Sequence, residues 1–79
     1  MSTTKPTVAF MQKIVDAFYE LAGNGVGGNL HIVTDDLNVG AEQVEWCREQ
    51  AQQGGDRDGV FLAKLLLQFT EAEREEICS

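Results

Sequence analysis

His31, Asp35 and Asp36 come nearest to a chemical site by residue type and spacing. An imidazole beside two carboxylates can hold a divalent metal or work as an acid–base pair. A zinc site takes about three or four protein ligands. The chain supplies no second histidine, no H-E-x-x-H and no C-x-x-C. The plainer reading is a strand histidine followed by turn aspartates, and it is the one favoured here. No metal, no cofactor and no catalytic residue is assigned on this basis.

The two thiols add little. Cys47 falls mid-helix on an apolar seam, where a thiol is inert packing. Cys78 has Glu75 and Glu76 beside it, which oppose formation of a thiolate. Gly23, Gly25 and Gly28 spell GxGxxG. A dinucleotide fingerprint needs a strand before it and a helix after it. Here a helix precedes and an extended segment follows, so nucleotide binding is set aside.

The carboxylates are the stronger signal. Asp35, Asp36, Glu42, Glu45 and Glu49 gather around the second helix, offset only by Arg48. Glu71, Glu73, Glu75 and Glu76 line the last helix, offset only by Arg74. Spaced carboxylates on a rigid surface can imitate a phosphate backbone. The bland alternative is two solvated helix faces, which charge runs usually are. Trp46 lies off the narrow Val44–Cys47–Ala51 seam. It suits either the edge of a core or the anchor of an interface. Asp35, Asp36, Glu42, Glu45, Trp46 and Glu49 are therefore the candidate partner-binding residues.

These groups need elements to position them. Residues 58–69, DGVFLAKLLLQF, are apolar nearly all round, broken only by Lys64 and Gln68. Such a helix is normally buried on several sides, and this one is too short to span a bilayer. It is taken as the central buried helix of one domain covering residues 1–79. Residues 1–5 read as a frayed tail. An amphipathic helix follows over 6–22, with Pro6 in its first turn and Thr7 as a second candidate cap. Gly23 and Asn24 end it, and 23–29 form a flexible Gly-rich loop. Residues 30–34, LHIVT, read as a strand with Leu30, Ile32 and Thr34 on one side. That strand would pair with neighbouring extended chain or with its copy in a second subunit. Asp35 and Asp36 then begin a turn, and Asn38 caps a helix over 39–53. Gly54 and Gly55 stop it, and Asp56 or Asp58 caps the central helix. Thr70 and Glu73 form a capping box for a last helix over 71–78. The expected fold is mainly α with a minor β element (α+β): three to four helices with one short strand or hairpin.

Charge bounds the partners. Thirteen acidic residues against six basic ones give a net charge of −7. That disfavours direct binding of nucleic acid or of an anionic membrane. It suits a protein with a basic or nucleic-acid-binding surface. The N-terminus lacks a signal-peptide pattern and two cysteines make no disulfide framework, so a cytoplasmic location with reduced thiols is expected. Apolar residues left over on the central helix leave room for a homodimer.

Residues 28–47, GNLHIVTDDLNVGAEQVEWC, resemble a segment of small phage and prophage proteins. The leucine-rich helix and the E-A-E-R-E-E end are similar too, so the likeness covers about two-thirds of the chain. It implies a fold and carries no catalytic residue. In size and acidity the chain also resembles anti-CRISPR proteins, with no shared motif. The resulting expectation is a non-enzymatic phage-type protein that binds and inhibits a host nucleic-acid-handling complex, such as a CRISPR–Cas effector. The alternatives are a homo-oligomeric structural or regulatory component and, further off, a small metal-dependent enzyme at His31, Asp35 and Asp36.

Overall fold

The Thr7 hydroxyl accepts the Phe10 N–H at 3.1 Å and so starts α1, Val8–Gly23, leaving Pro6 just outside. The computed structural model describes residues 5–26, 28–51 and 59–79. Phe10, Met11, Ile14, Val15 and Ala17 form the buried face of α1, while Lys13, Asp16 and Glu20 face outward. The helix runs one residue past the expected Ala22. Its left-handed residue is Gly25, at φ 76°, rather than Gly23 or Asn24. The Val26 N–H reaches the Leu21 carbonyl and the Gly25 N–H reaches that of Ala22, which is a complete Schellman closure.

The expected strand is a helix. Leu30–Leu37 forms α2, and no strand occurs among the described residues. The α+β expectation therefore gives way to an all-helical domain. Ile32, Val33 and Thr34 are β-branched, which favoured an extended reading. Yet Leu30, Val33, Thr34 and Leu37 also recur at helical spacing, and the first three are buried. Val33 is fully enclosed along with Leu30 and Thr34 whereas Ile32 is only half-buried, so burial does not alternate as a strand's would. Thr34 fits the helix interior because its hydroxyl donates to the carbonyls of Leu30 and His31, at 3.0 and 3.2 Å.

Asn38 does not cap the next helix. It closes α2 in the left-handed region, at φ 54° and ψ 46°, a conformation asparagine tolerates better than most residues. Helix α3, Ala41–Gln50, starts instead after Gly40. Gly40 has no side chain, so only the return half of a capping box is made: the Gly40 N–H donates to Gln43 Oε1 at 3.0 Å. The expected extension through residue 53, the stop at Gly54 and Gly55, and the caps at Asp56 and Asp58 lie outside the described residues.

Helix α4, Val60–Leu66, follows Gly59, whose φ of 79° brings it against the Phe18 ring. A Cβ at Gly59 would lie 3.4 Å from the tip of that ring. Phe61, Leu62 and Leu65 are buried, but Val60, Ala63 and Leu67 are exposed. Among its described residues, the segment expected to be the wholly buried centre is thus buried on one face and exposed at Val60, Ala63 and Leu67. The central role passes to α1. It packs along α2 and α5, and its Phe18 ring meets Phe61 of α4 edge to face at 6.0 Å. Helix α3 packs against α2 and α4.

The last helix, α5, spans Glu71–Cys78 and matches the expected bounds. Both halves of its capping box form: Thr70 Oγ1 accepts from Glu73 N at 3.1 Å, and Glu73 Oε1 accepts from Thr70 N at 2.9 Å. Lys5 pairs with Glu73 at 3.6 Å, and Gln12 Nε2 donates to the Glu76 carbonyl at 3.0 Å. The first contact ties the chain before α1 to the first turn of α5, and the second ties α1 to the last turn of α5. The radius of gyration, 11.6 Å, is that of a folded chain of this length on its own, about 12 Å.

Candidate functional site

Asp35 and Asp36 lie in the last turn of α2, both exposed, with no basic residue in that turn. The C-terminal end of a helix carries a partial negative charge, so carboxylates there are placed against the dipole. The same holds elsewhere. Glu20 lies in the last turn of α1, and Glu75 and Glu76 lie in that of α5; neither turn contains a base. Glu71 and Glu73, in the first turn of α5, are placed with the dipole instead.

Glu42, Glu45 and Glu49 are exposed on α3. Their spacing of three and four residues puts them within one face, rising about 10 Å from end to end. The turn through Asn38 joins this face to the aspartates at the end of α2.

Trp46 stands apart from this set. It is 4% exposed, and its ring meets Phe69 at 6.1 Å with the planes 69° apart. Of the two roles open to it, the structure gives the core one. The α3 seam centres on Trp46, Cys47 and Ala51, with Val44 only half-buried. A Trp–Phe pair separated by more than twenty residues leaves no local trace in sequence. Burial pushes the Cys47 thiol up to about 11, so it is protonated at neutral pH. Cys78 is exposed.

His31 and Asp35 are one helical turn apart, a fixed spacing that the strand reading denied them. Among the described residues, no three His, Cys, Asp or Glu side chains are grouped so as to hold a metal ion. His31 instead lines a small pocket of about 250 Å³ with Leu30, Arg48 and Ala51. A second cleft, about 550 Å³, lies between the start of α1, at Lys5, Pro6, Thr7 and Phe10, and the start of α3, at Gly40 to Gln43. Of the expected site residues only Glu42 borders it. Sequence reading did not find this cleft, because it joins segments more than thirty residues apart.

Among the described residues no helix is long and apolar enough to cross a membrane. No protein-family model matches the chain, and no curated protein or solved structure matches it.

Proposed function

We propose that the chain is a non-enzymatic binding protein whose carboxylates engage the basic, nucleic-acid-binding surface of a host protein and block it. The phage-type inhibitor of a nucleic-acid-handling complex, a CRISPR–Cas effector for example, is the reading adopted. One observation carries it: exposed carboxylates occupy the negative ends of three helices whose last turns contain no basic residue. Each such placement costs about 0.3–1 kcal/mol at low ionic strength. Local choices that lower stability concentrate at functional sites. Asp35 and Asp36, continued by Glu42, Glu45 and Glu49, form the proposed contact surface. Trp46 is left out of it, because it is enclosed.

Spacing supports recognition by position more than by charge density. Duplex DNA carries one charge per ~3.4 Å of axis on each strand. The α3 row carries one per about 5 Å. A basic groove would therefore meet a sparser row held at fixed points on a folded surface.

The test is affinity capture from bacterial lysate, with and without nuclease, comparing the natural chain with the triple variant E42K/E45K/E49K. The expected outcome is stoichiometric retention of a nucleic-acid-binding protein, displaced by added DNA or RNA and lost with the triple variant. Circular dichroism should be unchanged by the substitutions. Retention indifferent to the three lysines, or no such protein in either sample, would remove the acidic-surface mechanism.

A further inference from the structure

Helix α5 has the same length as α2 but is held differently. Helix α2 buries Leu30, Val33 and Thr34 and packs against both α1 and α3. Helix α5 buries Ile77 alone, and its main packing is against α1. Ala72, its other aliphatic side chain, is exposed. Ile77 is 2% exposed and lies in the last turn, so the apolar anchor is at the far end of the helix from its join to the core. The remaining ties to the rest of the chain are polar and open to water: Gln12 Nε2 on the Glu76 carbonyl, and Lys5 on Glu73. An exposed ion pair of this kind adds little.

Nor does the helix have the means to persist alone. An isolated helix shorter than about twelve residues is marginal in water. Glu75 and Glu76 lie in the last turn of α5, against its dipole, with no basic residue there. The Thr70–Glu73 box favours the helix, but its bonds stay within the first turn. Docking through Ile77 therefore decides whether the helix forms. On the other side of Thr70 the chain is firmly placed: Phe69 is buried and meets Trp46 edge to face. Beyond Phe69, as far as Ser79, only Ile77 is buried. Elements with few buried apolar contacts open locally, below the free energy of global unfolding.

We infer that α5 is a detachable cover on α1: it leaves as one cooperative unit, pivoting at Thr70, while Phe69 stays packed on Trp46 and α1 to α4 stay folded. Undocking and loss of helix are one event, because the helix does not persist undocked. The opening releases Lys5 from Glu73 and uncovers α1 around Gln12, the residue that holds the Glu76 carbonyl. It leaves the carboxylates of α2 and α3 where they are, so the inference is independent of the proposed function.

Native-state amide exchange on the full chain tests this. The amides of residues 74–78 bond within α5 or to its cap residue. They should share one level of protection, lower by about tenfold or more than that of the buried stretches of α1 and α3. Protection that declines steadily toward Ser79 would mean simple end fraying and would overturn the cooperative unit. Protection equal to that of α1 would overturn the detachable one. Ile77→Ala should lower protection over 74–78 by a further tenfold, roughly, while Trp46 emission stays blue-shifted. Unchanged protection there would show that Ile77 is not the anchor, and the inference would fall. Glu75→Pro cannot continue a helix and should remove the protection of α5, with the Cα shifts of α1 to α4 still helical. Loss of Trp46 burial or of the α1 helix in either variant would make α5 part of a single cooperative core, against the inference.

Discussion

Trp46 and Phe69 meet edge to face at 6.1 Å, and the Phe69 ring also carries the Lys5 ammonium 4.4 Å from its centre. One aromatic residue thus joins the start of the chain, α3 and the turn between α4 and α5. Trp46 and Phe69 are each 4% exposed, so the pair belongs to the core. An edge-to-face pair adds about 0.5–1.5 kcal/mol beyond its buried area. The exposed cation on Phe69 adds about 0.5–1 kcal/mol.

Removing the indole should therefore be severe. Trp46→Ala is expected to cost about 3–5 kcal/mol. A domain of this length holds roughly 4–12 kcal/mol in total. Urea denaturation followed by circular dichroism should show W46A close to unfolded in buffer and W46F folded with a reduced midpoint. Native Trp46 fluorescence should be blue-shifted and resist iodide. Quenching equal to that of free tryptophan would contradict the burial.

The capping box at Thr70 gives a pH-dependent prediction. The Thr70 backbone N–H bonds the Glu73 carboxylate and holds it below its ordinary range, with the Lys5 charge and the Thr70 hydroxyl assisting against slight desolvation. A carboxylate with a lowered folded value contributes stability above its unfolded value, and loses it as pH falls through the folded one. The effect belongs to the acid side of an ordinary glutamate, below about pH 4.3. Thr70→Ala should lower stability at neutral pH by about 1 kcal/mol. It should also move the Glu73 carboxyl titration, followed by NMR, upward. Lys5→Gln should move it in the same direction, because the Lys5 charge also holds the carboxylate down. An unmoved Glu73 in both variants would show that the box does not form in solution.

The thiols should separate cleanly. Cys47 is enclosed and pushed up to about 11, whereas Cys78 is exposed near the end of α5. Ellman's reagent at neutral pH should titrate one thiol rapidly and the second only in denaturant. Cys78→Ser should abolish the rapid phase. Two rapid thiols in the native protein would mean that the α3 seam opens readily.

How much of this was legible in sequence follows from the range of each interaction. The Thr70–Glu73 box is a contact three residues long, so residue type and spacing suffice, whereas the start of α1 falls at the second candidate, Thr7, with Pro6 outside the helix. Helix α1 repeats its pattern over sixteen residues, enough to make the period unmistakable. Helix α2 has only eight, and Ile32, Val33 and Thr34 pull that window toward a strand. The spacing of Leu30, Val33, Thr34 and Leu37 held the correct answer. Packing against α1 decided between two patterns that the local chain left balanced. The exposed face of α4 was hidden for a related reason. An all-apolar helix reads as buried, and only the tertiary arrangement shows that Val60, Ala63 and Leu67 stay exposed. Exposure of the acidic residues was readable from charge alone. Their position against helix dipoles was not, because it depends on α2 being a helix.

That position yields the last prediction, in which stability and binding move oppositely. Asp35 and Asp36 sit in the last turn of α2, at its negative end, so each carboxylate faces a partial charge of its own sign. Asp35→Asn and Asp36→Asn remove the repulsion and keep the size of the side chain. Each should raise stability by about 0.3–1 kcal/mol at low salt. The gain should fade toward molar salt, where the Debye length shrinks to roughly 3 Å. Urea midpoints at the two ionic strengths measure it. If these carboxylates are retained for recognition, the double variant is more stable and is captured less well by the basic partner. A double variant that is less stable would mean that the two aspartates hold α2 together, and the argument from misplaced charge would fall with it.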